Sequence, residues 1–169
     1  RAQGHLQIQY VEYKRKVCLK IPVRKGMGYA HIAKYVTGSE ENTSSIQQFN
    51  DRKLLKVSDV VYVPKELMSA SLKKILDENT FERFTIDAEE ASSLAEIMET
   101  NCDLRKYGYQ ETLSILLVIN DDINLANLLV YDEQPIIIPK SLISPELIRE
   151  EEFAPTNPIQ EKEGPLPPK

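Results

Sequence analysis

The sequence predicts an α+β fold: two small strand–helix–helix–strand units joined by a short helix, followed by an extended, proline-rich tail. Three observations predict it. Two apolar runs end on proline, Val60-Val61-Tyr62-Val63-Pro64 and Ile136-Ile137-Ile138-Pro139. Each follows a helical pattern closed by asparagine, Ile46 to Asn50 and Leu116 to Asn120. Each also exits alike, Pro64-Lys65-Glu66-Leu67 and Pro139-Lys140-Ser141-Leu142. That parallel argues for an internal repeat. The organisation read from it is a strand extension over 1–20, a first unit over 21–68 and a connecting helix over 69–80. A second unit over 81–143 and an acidic tail over 144–169 complete it.

Leu6, Ile8 and Tyr10 alternate with Gln7 and Gln9, the period of a half-buried strand. It serves as an extra edge strand or belongs to an upstream domain. Val17, Leu19, Ile21 and Val23 alternate with Cys18, Lys20, Pro22 and Arg24, a strand that leads into the first unit. Pro22 has no N–H to give and requires an edge or a bulge. The turn at Gly26 and Gly28 supplies freedom before a helix over 29–36, whose stripe is Tyr29, Ile32, Ala33 and Val36. Gly38 is placed to end that helix left-handed. Ser44 and Gln47 fit a capping box for the second helix. Leu54, Leu55 and Val57 lead back to the closing strand. Leu72, Ile75 and Leu76 give the connecting helix one apolar stripe, able to dock between the units.

The second unit opens on Phe84-Thr85-Ile86. Asp87 or Ser92 caps a helix holding Leu94, Ile97 and Met98. A polar connection with Gly108 follows, then a helix with Leu113, Leu116 and Leu117. Asn50 to Pro64 is 14 positions and Asn120 to Pro139 is 19. The second unit thus carries roughly five extra residues in that loop.

Net charge is −5 over 169 residues, but unevenly spread. Residues 1–65 hold 12 basic and 5 acidic side chains, net +7; residues 66–140 hold 6 and 15, net −9. Either the charges are merely solvated, or the halves attract each other or different partners. Nucleic acid is not expected, since the basic residues are not interleaved with stacking aromatics. No apolar run approaches the roughly 18 residues of a membrane span, and no signal peptide is read. The tail, with six of the ten prolines, reads as disordered, or as a polyproline II peptide anchored by Phe153, Ile159 and Leu166. Cys18 and Cys102 allow one disulfide or two buried thiols. No catalytic set, cofactor motif or metal set is found: His31 stands without a partner ligand, and Gly26 and Gly28 lack a phosphate loop's Gly-Lys-Ser/Thr ending.

In order, Val23, Gly26, Tyr29, Ile32-Ala33, Ile46, Asn50, Val57 and Val61-Tyr62-Val63-Pro64 resemble the pattern of the LysM family. The Asp-Thr pair that follows the family's first glycine is replaced here by Met27-Gly28. Ser58-Asp59 stands in place of its second glycine. The resemblance implies two βααβ LysM-like modules, the second degenerate. It implies binding of N-acetylglucosamine polymers, peptidoglycan before chitin, in a shallow groove. Mapped on this chain the groove takes Gly26, Met27, Gly28, Tyr29, Asn50, Lys53 and Leu54. Tyr29 and Leu54 are equally readable as core, and Asn50 as a helix-end cap. The resemblance further implies a non-catalytic, extracytoplasmic protein of the cell envelope. The alternative is an adaptor whose modules and tail make protein contacts in an envelope machine or a phage-tail-like assembly.

Overall fold

The computed structural model of the chain describes residues 2–4, 10–78, 80–85, 92–131 and 134–147. They form a mixed α+β protein with small antiparallel sheets. In chain order the elements are β1 (Ala2–Gly4), β2 (Tyr10–Tyr13), β3 (Lys16–Pro22), α1 (Tyr29–Ile32), α2 (Thr43–Phe49) and β4 (Val60–Pro64). Then come α3 (Ala70–Glu78), β5 (Phe81–Thr85), β6 (Ser92–Ser93), α4 (Leu94–Asn101), α5 (Tyr109–Ile119), β7 (Leu129–Val130) and β8 (Pro135–Pro139). A π-helical stretch, Ala33–Thr37, continues α1 and stops at Gly38, whose φ of 85° is the left-handed cap that glycine adopts without strain.

In chain order β3 and β4 flank α1 and α2, and β5 and β8 flank β6, α4, α5 and β7. β3 pairs with β4 from Cys18↔Pro64 to Pro22↔Val60, and β5 pairs with β8 from Phe81↔Pro139 to Thr85↔Pro135. Each pair gains a third strand from the N-terminal segment. β2 extends the first sheet beside β3, whereas β1 extends the second beside β5. The segment before residue 20 thus contributes to both sheets. β3 itself begins at Lys16, so the first unit starts earlier than position 21.

Apolar side chains from both units and from α3 make one buried cluster. Ile21, Val61, Ile32 and Ile46 join Leu94, Ile97, Leu116, Ile136 and Ile138, with Leu72, Ile75 and Leu76 of α3 among them. Each fully buried Leu or Ile contributes about 1.5–3 kcal/mol, so neither unit keeps its core whole without the other. The α3 stripe docks as its spacing requires.

Several local expectations change. Ser44 is exposed inside α2 and caps nothing. The N-cap is Asn42, whose side chain does not cap the helix and donates to Thr37 Oγ1 instead; a 3-10 turn, Glu40–Asn42, already leads into the helix and is itself capped by Ser39. α4 is capped by Ser93 in place of Ser92 or Asp87: its Oγ accepts Glu96 N–H at 3.1 Å while Glu96 Oε1 faces Ser93 N at 3.4 Å. Cys18 is buried, although alternation turned it outward, and Val17 is 54% exposed. By register Cys18 shares its face with Tyr13 and Tyr62, whose rings stack at 4.1 Å, so this outer face is roofed. Leu6, Ile8, Ile86, Asp87 and the tail from residue 148 lie outside the described residues. Ser144 and Leu147, given to the tail, pack onto the fold: Ser144 N–H reaches Asn101 O at 2.8 Å, and Leu147 lies against the core.

Candidate functional site

Two segments of the first unit lie side by side: the turn from β3 into α1, residues 23–29, and the loop from α2 to β4, residues 51–59. Backbone bonds join their far ends, Val23 N to Asp59 O at 2.8 Å and Ser58 N to Val23 O at 2.9 Å. At the near end a side chain makes the link, Tyr29 Oη donating to Lys53 O at 2.8 Å. Gly26 has a φ of 80°, and a Cβ there would meet nothing within 4 Å. Gly28, the residue before α1, has an ordinary extended φ of −119°. Its N–H donates to His31 Nδ1 at 3.1 Å, which closes the turn and occupies that histidine nitrogen locally.

Gly26, Gly28, Tyr29 and Lys53 are therefore brought together at an accessible rim. Met27 is not part of it, because its side chain is buried in the core. Asn50 is withdrawn as well. It is 2% exposed, and its amide is consumed: Nδ2 donates to Ile46 O at 2.8 Å and Tyr62 O at 2.9 Å, while Oδ1 accepts Tyr62 N–H at 2.9 Å. It clamps the end of α2 to the outer edge of β4. Leu54 is 87% exposed, which no wall of a groove would be, so it projects outward. Tyr29 is half-buried against the core, and burial, then Asp59 and Asp51, holds its hydroxyl above the usual range. Lys53 Nζ donates to Val60 O at 2.6 Å.

The corresponding place in the second unit is built differently. Asn120 repeats the clamp, with Nδ2 on Leu116 O at 3.0 Å and Ile137 O at 2.8 Å, and Oδ1 on Ile137 N–H at 2.8 Å. The longer loop beyond it, however, forms β7, which pairs with β6 at Ser92↔Val130 and Ser93↔Leu129. Leu94 N–H adds a bond to Leu128 O at 2.9 Å. A backbone ladder thus bridges helix start and returning loop where the first unit has one tyrosine hydroxyl.

Arg24 connects the two places. Its guanidinium leaves the first unit's turn and donates to Leu117 O, to Asn120 O at 3.2 Å and to Ile123 O at 3.1 Å. The carbonyls of Leu117 and Asn120 lie at the end of α5, where the helix dipole favours a cation, and that of Ile123 lies just beyond it. Burial lowers its pKa, against the pull of Asp121 and Asp122. No family model, curated protein or solved structure matches the chain. A cleft of about 350 Å³ also runs between the units, lined by Lys34, Tyr35, Gln110 and Glu111 among others.

Both cysteines are free and buried. Burial raises the pKa of each thiol, that of Cys102 to about 12, which suits packing and not nucleophilic chemistry. Among the described residues no group of three or more His, Cys, Asp or Glu could hold a metal ion, and no helix is long and apolar enough to cross a membrane. Arg24 was missed as a site-building residue, because at the end of an alternating strand it reads as an outward charge. Only its three acceptors, far along the chain, reveal its role.

Proposed function

We propose that the chain is a non-catalytic binding protein of the cell envelope whose two units are LysM-like. Its ligand is an N-acetylglucosamine-containing polymer, peptidoglycan before chitin, held by the first unit. One observation carries this reading: a backbone ladder bridges helix start and returning loop in the second unit, whereas in the first the backbone bonds lie back at Val23 and Tyr29 Oη makes the link at the helix start. Gly26 and Gly28 give a polymer room to meet backbone N–H and C=O groups, which suits acetamido groups. Tyr29 offers a ring edge and a hydroxyl oxygen that can still accept a hydrogen bond. Met27 and Asn50 serve the scaffold and take no part.

The test is co-sedimentation with insoluble peptidoglycan and chitin at low and moderate salt, using the wild type and Gly28→Trp. A side chain at Gly28 is tolerated, since its Cβ would lie no closer than 3.7 Å to His31 Nδ1. We expect salt-resistant binding, competed by N-acetylglucosamine oligomers and lost in the variant at unchanged Tm. Absence of pelleting would overturn this reading in favour of a second, an adaptor between proteins. That second reading is favoured by the opposite charges of the two halves, +7 and −9 over residues 1–65 and 66–140. Binding that vanishes with added salt would mean charge attraction alone.

A further inference from the structure

We propose that the loop of residues 51–59 docks the protein on an anionic lipid surface, independently of polymer binding. Leu54 is 87% exposed and Val57 63%, three positions apart on one loop. Leu55 between them turns inward and packs against the core. A side chain as free as Leu54 stands on a convex tip.

The loop holds this shape firmly. Arg52 N–H reaches Gln47 O at 2.8 Å, Lys56 N–H reaches Asp59 Oδ2 at 2.9 Å, and Ser58 N–H reaches Val23 O at 2.9 Å. Asp51, Arg52 and Ser58 take φ values of 59°, 54° and 78°, left-handed conformations that non-glycine residues adopt only when surroundings impose them. The two apolar side chains are thus presented by a fixed frame.

Arg52, Lys53 and Lys56 flank them along the loop and Lys25 lies on the neighbouring turn; all four are exposed. The acidic groups of the loop are engaged: Asp51 pairs with Lys14 at 2.6 Å, and Asp59 holds the Lys56 amide. An aliphatic tip on a loop rich in exposed basic residues suits the boundary between anionic headgroups and acyl chains. Two aliphatic side chains on a convex loop fall far short of the roughly 800 Å² per partner of a stable protein interface. With net +7 over residues 1–65 against −9 over 66–140, a negative surface attracts the basic half first.

The experiment is sedimentation of the full chain with phosphatidylcholine vesicles, with and without phosphatidylglycerol, at low and physiological ionic strength. We expect binding to the phosphatidylglycerol vesicles and none to pure phosphatidylcholine. Leu54→Ser combined with Val57→Ser should weaken partitioning about tenfold at unchanged Tm, while Gly28→Trp should leave it unchanged. Equal binding by the Leu54/Val57 variant would overturn the proposal, because charge alone would then suffice. So would failure to bind phosphatidylglycerol vesicles at low salt. Self-association lost in the same variant would assign the tip to a second copy and overturn it likewise. Because Gly28→Trp probes the polymer and the serine pair probes the lipid, either reading can fail alone.

Discussion

Asn50 and Asn120 are the same device used twice, whereas the loops that follow them have parted. Each asparagine sits at the end of its unit's second helix, caps a carbonyl one turn back and satisfies both backbone groups of an edge-strand residue, Tyr62 or Ile137. Beyond the clamp, the second unit turns its longer loop into β7 and closes on β6. The first keeps a shorter loop, with Tyr29 across to Lys53 and Leu54 in solvent. A rigid frame with one closed mouth and one open mouth teaches where variation is cheap. The clamp cannot change without orphaning buried backbone groups, while the loop can.

The largest expected effect breaks what the units share. Asn50→Ala and Asn120→Ala should each cost about 3 kcal/mol, since three hydrogen bonds go and two backbone groups lose their partner. Chemical denaturation checks this, and a small loss at only one position would show that the clamps are unequal. Next is the joint between the units: Arg24→Met should cost about 2 kcal/mol, removing the guanidinium bonds to Leu117 O, Asn120 O and Ile123 O. It should also broaden the thermal transition as the units loosen from one another. A sharp, unshifted transition would mean that the shared core alone couples them. Smallest is a change confined to one helix start. Ser93→Ala should cost about 1 kcal/mol through the lost cap of α4. Gly28, with no side-chain cap to lose, has no counterpart to it in the first unit.

Legibility in the sequence followed the range of the interactions. The closing strands, the helices ending at Asn50 and Asn120, the Gly38 cap and the α3 stripe were readable because their signals are local. The partition of the N-terminal segment between two sheets was not, because β1 finds its partner β5 nearly half the chain away. Cys18 was placed outward by strict alternation, yet Tyr13 and Tyr62, far apart in the chain, roof that face. Ser44 fitted a capping pattern, but the preceding 3-10 turn had already begun the helix. Of the seven residues mapped to a groove, Gly26, Gly28, Tyr29 and Lys53 gather at the rim. Met27 and Asn50 belong inside, and Leu54 points away. A short apolar or amide side chain looks the same in sequence whether it lines a cleft or supports one.

The paired clamps also govern how the molecule ages. Asparagine deamidates when the following backbone nitrogen attacks its side-chain carbonyl, which requires the amide to rotate freely and water to be near. Asn50 and Asn120 precede aspartates in the chain, yet both are almost wholly buried and bound at both ends of the amide. Conversion to aspartate would set a carboxylate oxygen against the carbonyls of Ile46 and Tyr62, or of Leu116 and Ile137, where a donor now stands. Folding therefore shields two amides whose chemical loss would break both clamps.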